Sequence, residues 1–262
     1  MTEWLELCRA ALVDAQEELA GLRTRAERER VVGRGAGGDD TAAVDAAVEA
    51  AVLRHLARDD CRVVSEEAGV RGSGRYTVVV DPVDGSQNAE RGIPYYCLSV
   101  AVADGDTVDD VFFGYVYDFG ANEEWYALRG EGAFLGGEPV AGAPKDGLEL
   151  LSLEATTAAL VGESLRVLAP LADRVRVMGA QALSYCHLAA GRTDAVVCLK
   201  PARAVDFAAA QLLVRERGFA FELFDGPPLG ASPLDLVPRS RVVAAGTEGL
   251  CRRIVQALTA SS

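Results

Sequence analysis

The chain has 262 residues, half of them hydrophobic and a quarter charged, with a formal net charge of −13. That length buries a large core, as one domain or as two packed together. An acidic balance with no Lys/Arg cluster to offset it excludes nucleic acid and anionic membrane as partners. With no signal-peptide pattern and no apolar run near ~18 residues, the expected location is the cytoplasm.

Trp4, Leu5, Cys8, Leu12, Leu19 and Leu22 recur at helical spacing, which predicts an amphipathic helix over 3–30 with a charged end. Residues 33–38 read as a loop. Gly33, Gly35 and Gly38 match G-x-G-x-x-G, but a charged helical segment precedes them where a dinucleotide fingerprint needs a strand. Asp39, Asp40 and Thr41 offer cap groups for a second helix with Val44, Val48, Val52 and Leu56 on one face. Strands are predicted at 61–64, 76–80, 96–102, 111–117 and 124–128, followed by a Gly-rich hairpin near 130–137. Asp104, Gly105, Asp106, Asp109 and Asp110 read as a solvated turn between two of these strands.

The stretch 136–147, with Pro139 and Pro144, is the expected boundary between an N-terminal α+β half, 1–143, and a C-terminal half, 144–262. Beyond it, strands at 149–153, 174–178, 194–199, 219–223 and 241–245 alternate with helices at 158–170, 180–191, 206–217 and 247–259. That alternation predicts an α/β layered arrangement. Cys8, Cys61, Cys97, Cys186, Cys198 and Cys251 form no C-x-x-C pair and read as small core residues with free thiols. His55 and His187 fall in predicted helices without zinc-site spacing.

The chemistry concentrates in Asp81-Pro82-Val83-Asp84-Gly85-Ser86, directly after the β-branched run 76–80. Two carboxylates at a strand end, followed by a Gly-Ser pair where a helix can begin, can hold a divalent cation beside amides that favour phosphate. Asp followed by Pro is also ordinary type I turn chemistry, so the hexapeptide alone supports either reading. The acidic inventory around it favours the metal site. Ser65-Glu66-Glu67 follows another strand, and Asp206 opens a helix after a third, where it can cap, ligate or do both. Carboxylates gathered without cations repel one another, and a set of hard oxygen donors suits Mg²⁺ or Mn²⁺ better than zinc. Lys200 and Arg203 are candidate contacts for a substrate anion, although loop charges are more commonly solvated. No Walker loop, G-x-S-x-G elbow or nucleophilic Cys/His pattern is present.

Four motifs in order, Asp39-Asp40-Thr41-Ala42-Ala43-Val44-Asp45, Ser65-Glu66-Glu67, Asp81-Pro82-Val83-Asp84-Gly85-Ser86 and Val205-Asp206-Phe207-Ala208-Ala209-Ala210, resemble the inositol monophosphatase/fructose-1,6-bisphosphatase superfamily. Residues 87–96 and 130–137 are similar to it as well, nearest its archaeal-type, often dual-activity branch. The resemblance covers most of the chain and implies a layered α/β/α/β/α sandwich, usually dimeric. It implies a Mg²⁺-dependent phosphomonoesterase, with Mn²⁺ as an alternative and two or three cations per site, acting on a small sugar or cyclitol phosphate such as inositol 1-phosphate or fructose 1,6-bisphosphate through a metal-activated water.

By position, the resemblance makes Glu66, Asp81, Asp84 and Asp206 the metal carboxylates, joined by the carbonyl of Val83, and gives the amides of Gly85 and Ser86 to the phosphate. It has the Ser86 hydroxyl act with Asp39, or with the neighbouring Asp40, to orient and help deprotonate the water, Glu66 and Asp84 completing the catalytic set. The sequence departs from the family at Ser65 for Gly, Ser86 for Thr, Val205 for Trp and Ala210 for Gly. Leu199 stands about where inositol-specific members carry an acidic residue, which leaves Lys200 and Arg203 as replacement contacts. Two rival functions remain open. One is an adenosine 3′,5′-bisphosphate 3′-phosphatase of the same superfamily, for which Arg203 and Phe207 are the only stacking candidates near 200–207. The other is a non-catalytic metal- or sugar-phosphate-binding regulator, against which retention of Ser86 with Asp39 argues.

Overall fold

The computed structural model describes residues 3–154, 157–237 and 239–260. α1 (Glu3–Gly21) buries the stripe Trp4, Leu5, Cys8 and Leu12, but it stops well short of Arg30. Thr24 starts a separate short helix, α2 (Arg25–Arg28): its hydroxyl accepts from the Glu27 amide while the Glu27 carboxylate accepts from the Thr24 amide. This capping box is a second start signal inside the charged run, and it ends the long helix expected there. The glycine-rich segment is a hairpin rather than a plain loop, with β1 (Val31–Arg34) antiparallel to β2 (Asp40–Ala42). The expected cap at residues 39–41 is therefore not used. Asp40 and Thr41 lie in the β2 ladder, and α3 (Ala43–Leu56) has Ala42 at its N-cap, with no side-chain cap bond.

The β-branched runs of the first half form one eight-stranded sheet. In chain order its strands are β3 (Cys61–Ser65), β4 (Gly69–Arg71), β5 (Tyr76–Asp84), then after α4 (Ser86–Arg91), β6 (Cys97–Asp104), β7 (Val111–Asp118), β8 (Glu123–Leu128), β9 (Gly132–Leu135) and β10 (Glu138–Pro139). The spatial order is β10-β9-β8-β7-β6-β5-β3-β4, antiparallel throughout except that β3 and β5 run parallel. The second half builds β11 (Leu150–Glu154), α5 (Ala158–Leu168), β12 (Arg174–Arg176), α6 (Gln181–Ala189), β13 (Ala195–Ala202), α7 (Ala204–Glu216), β14 (Ala220–Leu223), β15 (Ser240–Ala245) and α8 (Glu248–Thr259). Its five strands lie in the order β12-β11-β13-β15-β14.

Strand alternation sorts the side chains into three apolar layers. Val78 and Val80 face α1 and α3, whereas Val79 faces α6 and α7. On β13, Val196 and Cys198 join that same middle layer, while Ala195, Val197 and Leu199 face α8 and its neighbour α5. The result is the layered α/β/α/β/α sandwich, with α6 and α7 pressed between the two sheets. The alanines of α7 make this possible. A Cβ on Gly114 of β7 would lie 2.5 Å from the carbonyl oxygen of Ala209, so helix and strand touch backbone to backbone. Gly114→Ala is expected to destabilise the protein by about 1–3 kcal/mol through overpacking. An unchanged urea midpoint would refute that close contact.

Candidate active site

β5 runs into the site and is interrupted there. Its pairing with β6 shifts register between Asp81 and Asp84, where Pro82 has no amide to donate. Asp81 closes the turn by accepting from the Val83 amide at 3.1 Å. Gly85 follows at φ +92°, and a Cβ there would press on the carbonyl oxygens of Tyr95 at 3.0 Å and Gly179 at 3.1 Å, so any other residue is strained there. Ser86 then opens α4.

Other elements bring the remaining carboxylates. Glu66 follows β3 and is anchored from behind: buried Ser65 donates to Glu49 of α3, which also accepts from the Ala68 amide at 2.8 Å. The Ser-for-Gly departure at 65 thus has a structural use. Asp206, in the first turn of α7, accepts from the Arg203 amide at 2.6 Å and so caps its helix. It also faces the cluster, since Glu66, Asp81 and Asp206 offer carboxylate oxygens all within 4.8 Å of one another. Asp84 points toward α6 and accepts from the Ala182 amide at 2.5 Å. The resulting cavity of about 540 Å³ is lined by all the anticipated positions: Asp39, Asp40, Glu66, Asp81, Val83, Asp84, Gly85, Ser86, Lys200, Arg203 and Asp206.

Two assignments change. The Ser86 hydroxyl is bonded to Asp45 at 2.7 Å and to the Val83 carbonyl at 2.9 Å, not to Asp39 or Asp40. Asp39 and Asp40 are exposed in the hairpin, whereas Asp45, only 4% exposed, projects from the first turn of α3. Arg203 is not a free substrate contact either. It is 5% exposed and pairs with Glu66 and, at 3.2 Å, with Asp206. Lys200 is exposed on the rim.

The sequence reading missed Glu154 and Gln181. Glu154 ends β11 inside the cavity, where it accepts from Ser184 at 2.6 Å, Ser152 at 3.3 Å and the Gly179 amide at 3.0 Å. Its only signal is an acidic residue closing an apolar strand. The second acidic group, Asp118, Glu123 and His187, has structural partners instead. Asp118 accepts from the amides of Gly120 and Ala121, Glu123 is paired with Arg192 at 2.6 Å, and His187 packs against Tyr95 and Trp125.

Burial pushes Asp45 up to about 7 against the opposing Ser86 hydrogen bond. Burial and the charge of Asp206 raise Glu66 to about 7. Burial raises Asp84 to about 8 against the Ala182 amide, and Glu154 to about 7. Asp81 is raised by burial and by Glu66 and Asp84. A site of oxygen donors that hold protons near neutrality fits a hard divalent cation, and its fixed negative charge asks for one.

The linkage has a definite sign. Unfolded carboxylates titrate near ~4, so the folded chain retains protons that the unfolded chain releases. Stability is full below that value and declines as pH rises through about 7–8. In chelator, melting temperature is expected to fall between about pH 5 and pH 8. Divalent metal competes with those protons, so it should restore more stability at about pH 8 than at pH 6. A flat thermal-shift profile with and without metal would contradict this account.

The layered sandwich thus gathers carboxylates from both halves of the chain beside the start of α4. The model of the inositol monophosphatase family matches residues 3–261, and the chain belongs to that family. It is 34% identical over 244 residues to a fructose-1,6-bisphosphatase/inositol-1-monophosphatase of Archaeoglobus fulgidus, covering 92% of each chain. A protein of the same description from Thermococcus kodakarensis is 33% identical, covering 97% of each. The fold is similar to the crystal structure of an inositol monophosphatase-fructose 1,6 bisphosphatase, at a TM-score of 0.85 and 26% identity over 100% of both chains. No helix among the described residues is long and apolar enough to cross a membrane.

Proposed function

We propose that the protein hydrolyses a small sugar or cyclitol phosphate, of the inositol 1-phosphate or fructose 1,6-bisphosphate type, with Mg²⁺ as its metal. The bond between Ser86 and Asp45, set beside the converging Glu66, Asp81 and Asp206, carries this reading. Glu66, Asp81, Asp84, Asp206 and the Val83 carbonyl would hold the Mg²⁺, which when bound polarises the phosphate and acidifies water. The amides of Gly85 and Ser86 bind the phosphate oxygens. Ser86 accepts a hydrogen bond from the attacking water while donating to Asp45, so that as the water attacks phosphorus its proton passes to Ser86 and the serine proton passes to the Asp45 carboxylate. Buried Asp45, rather than exposed Asp39, is the partner suited to that task. Lys200, on the rim, meets the organic part of the ester or its second phosphate.

The nucleotide alternative loses support. Phe207 is 2% exposed and packs on Phe221, and no aromatic residue lines the cavity among the described residues. The six buried free thiols support a reducing, cytoplasmic setting. Exposed Ile93, Val177 and Met178, drawn together through Asn88, support a homodimer. The test is phosphate release from inositol 1-phosphate, fructose 1,6-bisphosphate and adenosine 3′,5′-bisphosphate, with and without Mg²⁺. Mg²⁺-dependent release from either of the first two is expected. Release from none, or from the nucleotide alone, would overturn the proposal.

A further inference from the structure

Gln181 is the first residue of α6 and lines the cavity. Its place beside the reacting centre is fixed on both sides. Ala180, before it, lies against Gly85, where an added Cβ would meet the Ala180 Cβ at 3.1 Å. Ala182, after it, donates its amide to Asp84 at 2.5 Å. The side chain is pinned as well. Its Nε2 donates to the Tyr185 hydroxyl at 2.8 Å, one turn along the helix, and its Oε1 accepts from the Cys198 thiol of β13 at 3.0 Å. Both partners are themselves anchored: Tyr185 is fully buried against Phe221, and the Cys198 thiol also reaches the Lys200 carbonyl at 3.1 Å. A primary amide has two N–H donors and an oxygen with two lone pairs. Tyr185 and Cys198 take one of each. One donor and one acceptor are left side by side, without a further partner among the described residues, on a half-buried side chain in the cavity wall.

The neighbouring groups do not duplicate that pair. Leu199 turns with Ala195 and Val197 to the outer layer and is 6% exposed. Arg203 is buried against Glu66 and Asp206. Both oxygens of Glu154 are engaged, one by Ser184 and Ser152 and the other by the Gly179 amide. Lys200, on the rim, offers donors only.

We propose that Gln181 is a specificity-determining residue, whose free N–H and free lone pair read hydroxyl groups on the carbon next to the phosphate ester. This rests on the phosphatase reading above and deepens it: the substrate is the phosphate of a polyol hydroxylated beside the ester, not of a plain alcohol. One hydroxyl both donates and accepts, so it can satisfy both sites, and two vicinal hydroxyls can take one each. Because Tyr185 and Cys198 already hold the amide, little side-chain freedom is lost on binding. An ester lacking the hydroxyl leaves both sites unpaired, which is how a site built to hydrogen-bond a hydroxyl rejects the analogue without it.

The test compares inositol 1-phosphate and fructose 1,6-bisphosphate with cyclohexyl phosphate, which keeps a six-membered ring but none of the hydroxyls. Phosphate release in Mg²⁺ is measured for wild type, Gln181→Leu and Cys198→Ala. Wild type should favour the hydroxylated esters. Gln181→Leu should lower kcat/KM by about 5–50-fold for each hydroxylated ester that wild type turns over, mainly through KM, and leave cyclohexyl phosphate within about twofold. Cys198→Ala releases the amide oxygen without touching the amide. It should shift in the same direction by less, and it decides the matter alone if the leucine variant does not fold. Equal losses on all three esters would make Gln181 a support of α6 and nothing more. That result, unchanged kinetics on the hydroxylated esters, or a wild type with no preference for them would each overturn the proposal and leave the phosphatase reading standing. A wild type that releases phosphate from none of the three would remove both.

Discussion

Asp45→Asn is expected to lower kcat by about 10²–10⁴-fold at saturating Mg²⁺ with KM little changed, whereas Asp39→Asn should stay within about twofold of wild type. The difference follows from geometry. Asp45 receives the Ser86 hydrogen bond at 2.7 Å in a site that pushes its carboxyl up to about 7, a value suited to taking up a proton near neutrality. Asp39 is exposed in the hairpin, and its main-chain carbonyl is occupied by the Gly35 amide. The asparagine side chain keeps an oxygen for Ser86 but cannot carry negative charge, so binding persists and the chemical step suffers. Ser86→Ala should cost a similar factor, and the double variant little more than either single one, because the two groups act as a unit. Additive losses, or an Asp39 variant as impaired as the Asp45 variant, would break the pairing.

Asp81→Asn is expected to abolish Mg²⁺-dependent turnover and at the same time to stabilise the metal-free protein. Asp81 is 3% exposed, and its carboxyl is raised by burial and by its neighbours Glu66 and Asp84. An asparagine preserves the bond from the Val83 amide while removing one of the repelling charges. Wild type should gain about 2.7 kcal/mol from Mg²⁺ at a hundred times its Kd, a rise of about 5–10 °C in melting temperature. The variant should start higher in chelator and gain almost nothing. A variant that melts lower without metal, or that still responds to Mg²⁺, would contradict the arrangement of the cluster.

The strands were legible because β-branched runs bounded by glycine and proline have few alternatives. β5, β6 and β7 fall within a few residues of their expected limits. β4 was not, since three residues of which only Gly69 is buried carry no pattern. The break after α1 hides inside a charged run and depends on one capping box. Because residues 40–42 form β2 rather than a cap, the helix starts later, and Asp45 rather than Asp39 stands in its first turn. The clustered carboxylates were readable because each lies near the end of a strand, follows one or opens a helix. Arg203 and Glu154 were not, because their meaning comes from partners 137 and 30 residues away.

That scattering along the chain has a consequence for folding. The groups that repel one another sit at 45, 66, 81, 84, 154 and 206, on elements of both sheets. A chain still forming its first sheet keeps Glu154 and Asp206 away from the others. Pairing of β3 with β5 already sets Glu66 beside Asp81, but Glu154 and Asp206 join only when β11 and α7 dock, so the last part of the electrostatic penalty falls late in assembly. Divalent metal should then slow unfolding sharply and leave early refolding rates nearly unchanged. Stopped-flow kinetics with and without Mg²⁺ would show it, and a metal-accelerated first phase would speak against it. A divalent ion bound by this cluster would thus act as the final fastener of the fold.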